Sequence, residues 1–94
     1  RELRDLNDWG FRDQITRSAL SVPSNISEGV DRLSAKDCIR FLGYAKGSCG
    51  ELRTQIYVGR EIEYIDKETA TKWINEAIEI SSMLAGFIKS KKKP

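Results

Sequence analysis

Cys38, Leu42, Ala45, Cys49, Leu52, Ile56 and Gly59 fall at steps of four and three along the middle of the chain. Only an α-helix, with 3.6 residues per turn, brings all of them to one side, so the spacing predicts a long helix over about residues 35–62. Ser34 precedes it as an N-cap, with Asp37 three residues on in a capping-box-like arrangement. Behind this seam lie Gly43, Gly47, Gly50 and Thr54, again spaced four, three and four. Each glycine costs about 1 kcal/mol relative to alanine in a helix interior. One reading breaks the helix near Gly47 into two short ones. The other keeps it whole and uses the smooth ridge for close approach by another helix, and the intact register from Cys38 to Ile56 favours it.

Two further helices complete the pattern. Phe11, Ile15, Ala19, Val22, Ile26 and Val30 predict one over about 11–30, and a neighbouring stripe, Gln14, Ser18, Ser21, Asn25, Glu28 and Arg32, is wholly polar. Both stripes keep phase across Pro23, so the proline reads as a kink within a helix rather than a loop, although it costs about 3 kcal/mol there. Asp66 is the N-cap candidate for a last helix over about 67–90, whose wide apolar face comprises Ala70, Trp73, Ile74, Ala77, Ile80, Ser81, Leu84, Phe87 and Ile88. Residues 1–10 read as a connection from an earlier helix, and residues 91–94 as a solvated basic tail. An opening Arg1 in place of Met suggests that an N-terminal piece has been removed. No linker or repeat interrupts the chain, so residues 1–94 are expected to form one all-α domain, an antiparallel up-down bundle.

Composition narrows the function classes. With 39% hydrophobic and 32% charged residues and a formal net charge of +2, the chain suits a soluble domain and lacks the strong basic bias of a nucleic-acid binder. Cys38 and Cys49 are separated by about 16 Å of helix, too far for a disulfide, which needs Cα atoms within about 7 Å. They read as small buried residues of a cytoplasmic protein. No apolar run approaches the roughly 18 residues of a membrane span, and no signal peptide is visible. Asn25-Ile26-Ser27 fits a glycosylation sequon by chance.

The stretches Ser21–Gly29 (SVPSNISEG) and Phe41–Ile56 (FLGYAKGSCGELRTQI) also resemble a family: the small bacterial four-helix-bundle proteins encoded within intervening sequences of 23S ribosomal RNA genes. Pro23, Asn25, Ile26, Glu28 and Gly29 match its first element. Phe41, Leu42, Ala45, Gly47, Ser48, Glu51, Leu52, Thr54 and Gln55 match its second. Val22 and Ser27 replace the more usual Ile and Ala. The family's first long helix would precede RDLNDWGFRDQI and is absent here, so the resemblance implies a four-helix bundle of which this chain carries three helices. It further implies homo-oligomers, rings of five, and no established enzymatic activity. Related bundle proteins serve diversity-generating retroelements, binding a reverse transcriptase and nucleic acid.

Catalysis is not expected, and no cofactor, metal or small-molecule substrate is. The chain has no histidine, which removes Ser/His/Asp and Cys/His arrangements and leaves acid–base work to a retuned carboxylate or lysine such as Glu28 or Glu51. GYAKGSCGE lacks the Gly-x4-Gly-Lys-Ser/Thr spacing of a phosphate loop. If the first two helices pack antiparallel, Asn25, Glu28, Ser48, Glu51 and Gln55 face one another, with Glu28 also four residues before Arg32. These six residues form a candidate polar network, read first as a register-fixing hydrogen-bond set and second as a ligand site. Lys46, Arg53 and Arg60 recur every seven residues beside the seam, with Tyr57 among them. They read as flanking cations covering core atoms or, alternatively, as phosphate contacts. The sequence thus points to a non-enzymatic oligomeric scaffold with RNA, DNA or a nucleic-acid-bound protein as partner. The alternative is a protein–protein adaptor docking on the ridge Gly43, Gly47, Gly50 and Thr54.

Overall fold

A computed structural model describes the backbone of residues 2–92 and the side chains of residues 9–92. The described chain is all-helical: α1 (Glu2–Val30), α2 (Ala35–Glu61) and α3 (Lys67–Lys92). Helix α1 passes through Pro23, and α2 passes through its glycines without a break. Both ends where sequence periodicity fades differ from expectation. Residues 2–10 are helix rather than a connection; Leu3, Leu6 and Trp9, at steps of three, were the available signal. At the other end α3 continues to Lys92, so Lys91 and Lys92 are not a loose tail; Lys93 and Pro94 lie outside the described residues. Lys89, Lys91 and Lys92 occupy the last turn, where the helix dipole favours cations, and Lys91 Nζ sits 5.5 Å from the Phe87 ring centre.

Caps fix the turns. Ser34 is extended (φ −87°, ψ 132°) and its hydroxyl accepts from the Asp37 backbone N–H at 3.1 Å, starting α2. The Asp37 carboxylate pairs with Arg40 at 3.6 Å. Helix α2 stops in a Schellman arrangement: Glu63 takes a left-handed φ of 64°, its N–H reaches the Arg60 carbonyl, and the Tyr64 N–H reaches the Gly59 carbonyl at 2.8 Å. Asp66 then accepts from the Thr69 backbone N–H at 2.9 Å to cap α3. Hydrogen bonding from the Thr69 side chain and backbone holds the Asp66 carboxyl below its ordinary 3.8.

Among the described residues, α1 and α3 each pack on α2 and not on each other. Val22 of α1 and Leu84 of α3 join Cys38, Leu42, Ala45 and Cys49 of α2 in one buried cluster, with Ile26 and Ile88 against it. Ile56, Ala70 and Ile74 form a second, flanked by Ile15, Leu52 and Ile65. The seam read from sequence is therefore the core. The outer helices present narrower apolar faces than their sequences suggest. Ala19 and Val30 of α1 are exposed, while Ser18 and Gly29 take buried places. On α3, Ala70, Ile74, Ala77 and Leu84 are buried, but Trp73, Ile80 and Phe87 are not.

Gly29 lets α1 approach α2 closely. A Cβ there would lie 3.2 Å from Phe41 Cβ and 3.3 Å from the Cys38 carbonyl oxygen, whereas one at Gly47 would meet nothing within 4 Å. Gly29→Ala should therefore destabilise the chain by about 1–3 kcal/mol through overpacking. Gly47→Ala should stabilise the single chain by up to about 1 kcal/mol through helix propensity; urea unfolding of the two variants checks both signs. For Asp66, a lowered carboxyl stabilises the fold above the ordinary value and loses that contribution as pH falls through the folded one. Asp66→Ala should thus unfold at a lower temperature at neutral pH, with the gap to the parent closing as pH drops below 3.8.

Candidate functional site

The polar stripe of α1 meets α2 along one side of their shared groove. Ser21 Oγ and Ser48 Oγ share a hydrogen bond at 2.8 Å, and Ser18 Oγ donates to Glu51 Oε1 at 3.2 Å. Each step of three forward on α1 is matched by three back on α2, as an antiparallel pair requires. Asn25 Nδ2 donates to both the Ser21 carbonyl (2.9 Å) and the Ser21 hydroxyl (3.0 Å), bracing the turn that contains Pro23. Ser18 is the buried polar residue of this set. In the candidate network the structure therefore places Asn25, Ser48 and Glu51 along one groove, and adds Ser18 and Ser21, which make the two cross-helix bonds given above. Their place in the wholly polar stripe of α1 was the available signal.

The remaining members fall elsewhere. Glu28 pairs with Arg32 on the exposed flank, one turn apart on the chain, rather than with α2. Arg32 lies over the Phe41 ring at 4.7 Å, Arg40 approaches the same ring at 5.1 Å, and Tyr44 meets it edge-on at 5.7 Å. This cation–aromatic cluster at the first turn was not read from the sequence, because Arg32 and Phe41 converge only after the chain reverses. Gln55 Oε1 is buried with no hydrogen-bond partner. Gln55 also lines, with Gln14, Arg17, Ser18, Ser21 and Glu51, a cleft of about 380 Å³.

The ridge Gly43, Gly47, Gly50 and Thr54 lies away from both neighbours. Added Cβ atoms at its three glycines would meet nothing within 4 Å, so among the described residues no helix covers it. Thr54 Oγ1 donates to the Gly50 carbonyl. Lys46, Arg53 and Arg60 flank the core as a line: Lys46 is exposed, and Arg53 and Arg60 are half-buried, with Arg60 5.4 Å from the Tyr57 ring centre. Burial raises the Cys49 thiol pKa, and Lys46 and Arg53 pull it partly back, which places both cations within electrostatic reach of the seam. Among the described residues, no group of three His, Cys, Asp or Glu side chains could hold a metal ion, and no helix is long and apolar enough to cross a membrane.

The hydroxyl pair offers a direct check on the polar seam. Ser21→Ala and Ser48→Ala should each cost about 1 kcal/mol, and the double variant should cost less than their sum by about 0.5–1.5 kcal/mol. Additive losses in denaturant unfolding would mean that the two hydroxyls do not interact.

No curated protein matches the chain significantly. A family model described as 23S rRNA-intervening sequence protein matches residues 1–86, which takes in both quoted elements, the polar seam, the glycine ridge and most of α3. The chain belongs to the 23S rRNA-intervening sequence protein family.

Proposed function

We propose that this protein acts without catalysis, as a cytoplasmic helical scaffold that assembles with further copies of itself and offers nucleic acid, or a protein carrying it, a line of cations. The observation that carries the reading is the apolar face left uncovered on α3. Trp73, Ile80 and Phe87 recur every seven residues and keep 42%, 39% and 37% of their surface exposed, and Met83 beside them keeps 68%. Seven-residue spacing is what a facing helix requires, and a strip of large side chains rimmed by charge favours association. The four-helix form and rings of five that the family resemblance implies would supply such a helix. Lys46, Arg53 and Arg60 then serve as phosphate contacts, repeated around the assembly.

A second reading, a protein–protein adaptor, draws support from the open ridge at Gly43, Gly47 and Gly50, where another helix could approach closely. Sedimentation should give a mass several times 10.7 kDa, and Trp73→Glu with Ile80→Glu should return it towards the monomer. Structured RNA should bind more weakly as salt rises, and changing Lys46, Arg53 and Arg60 together to Gln should flatten the salt slope by about 2–3. Salt-independent or undetectable RNA binding, with assembly intact and lost on Gly47→Leu, would favour the adaptor.

A further inference from the structure

The corner where α1 turns into α2 gathers cations that its carboxylates only half answer. Arg32 and Arg40 lie 4.7 and 5.1 Å from the centre of the Phe41 ring, so two like charges share one aromatic residue. Glu28 pairs with Arg32, and Asp37 reaches Arg40 at 3.6 Å, longer than a good hydrogen bond. A guanidinium carries five N–H donors, so one carboxylate leaves most of each fork unspent. Lys36, one turn before Arg40, is exposed as well. Ile88 packs against the Cys38 cluster, which brings Lys89, Lys91 and Lys92 in the last turn of α3 to the same end of the bundle. No acidic residue follows Glu79 in that helix. Tyr44, edge-on to Phe41, keeps 52% of its surface exposed beside these cations. Two guanidiniums held at one ring fit the phosphates of a backbone, which each can grip bidentately. An exposed ring next to them fits the flat face of a base, and a base offers that face only when it is unpaired. An acidic peptide would use the cations and leave the ring idle. A bilayer would find Leu33 and Val30 as the large aliphatic side chains exposed here, and even a whole acyl chain anchors only marginally.

We propose that this corner binds an unpaired nucleic-acid strand, with Arg32 and Arg40 on its phosphates, a base on Tyr44, and the backbone running on towards the lysines of α3. The inference rests on the nucleic-acid reading above and adds to it the class of strand and a contact surface apart from the line of Lys46, Arg53 and Arg60.

Fluorescence anisotropy of the full chain with a labelled oligothymidylate of about 15 nucleotides should show saturable binding that weakens as salt rises. Tyr44→Leu keeps apolar bulk against Phe41 and a good helix former, and it should weaken binding about tenfold. Tyr44→Phe, which keeps the ring, should bind like the parent. Arg32→Gln with Arg40→Gln should lower the salt slope by about 1.4 while the circular dichroism of the chain stays that of the parent. If oligothymidylate fails to bind while structured RNA still binds through Lys46, Arg53 and Arg60, this inference falls and the proposed function stands; if neither binds, both fall. Equal affinity for a duplex of the same length, or full binding by Tyr44→Leu, would also overturn the inference. So would tighter binding to phosphatidylserine vesicles that Leu33→Asp abolishes, since the corner would then face a lipid surface.

Discussion

Both outer helices depend on one apolar seam. Leu42, Ala45 and Cys49 share a cluster with Val22 of α1 and Leu84 of α3, and among the described residues the backbones of α1 and α3 do not approach one another. Removing a buried leucine typically costs 2–5 kcal/mol, against about 5–15 kcal/mol of total stability for a domain. Leu42 is fully buried, so its loss would loosen two interfaces at once rather than one. The arrangement also explains the shape, 56 × 22 × 13 Å. Three rods sharing a single line of contact cannot enclose a globular core, and much apolar surface stays outside.

An apolar seam alone leaves helices free to slide by a turn, because one leucine replaces another at little cost. The α1–α2 groove adds polar contacts that mark the register. Shifting α1 by one turn would break the Ser21–Ser48 and Ser18–Glu51 bonds together. Close approach at both ends reinforces the same register. Gly29 sits against Phe41 and the Cys38 carbonyl, and at the far end Gly59 lies under Phe11, where even a methyl group would fall 2.6 Å from the ring. Phe11 in turn meets Tyr64 edge-on at 5.5 Å, tying α1 to the turn that leads into α3.

Much of this was legible because helix phase is a local property. The seam from Cys38 to Gly59 and the caps at Ser34 and Asp66 depend on residues within a few positions of one another, and so does continuity through Pro23. Phase does not say which stripe a neighbour will touch. On α1 the apolar and polar stripes adjoin, and the contact line runs along their border, so Ser18 is buried and Ala19 is not. The same limit governs the candidate site. Asn25, Ser48 and Glu51 could be grouped from an assumed antiparallel pairing, but Glu28 lies far enough around the helix to prefer Arg32, its neighbour one turn on.

The glycines separate what the single chain explains from what it does not. At Gly59 a side chain would collide with Phe11 and Ile65, and at Gly29 it would crowd Phe41 and the Cys38 carbonyl, so the fold itself gives both positions a reason to be glycine. At Gly43, Gly47 and Gly50 there is open space, and α2 gives up about 1 kcal/mol at each relative to alanine without a compensating contact among the described residues. Nothing in α2's hydrogen bonding or capping requires a small residue at those positions. The proposed self-association would set a close helix contact against that cost. The Trp73–Ile80–Phe87 strip left exposed on α3 supports the same proposal from a different helix, in apolar area rather than in helix propensity.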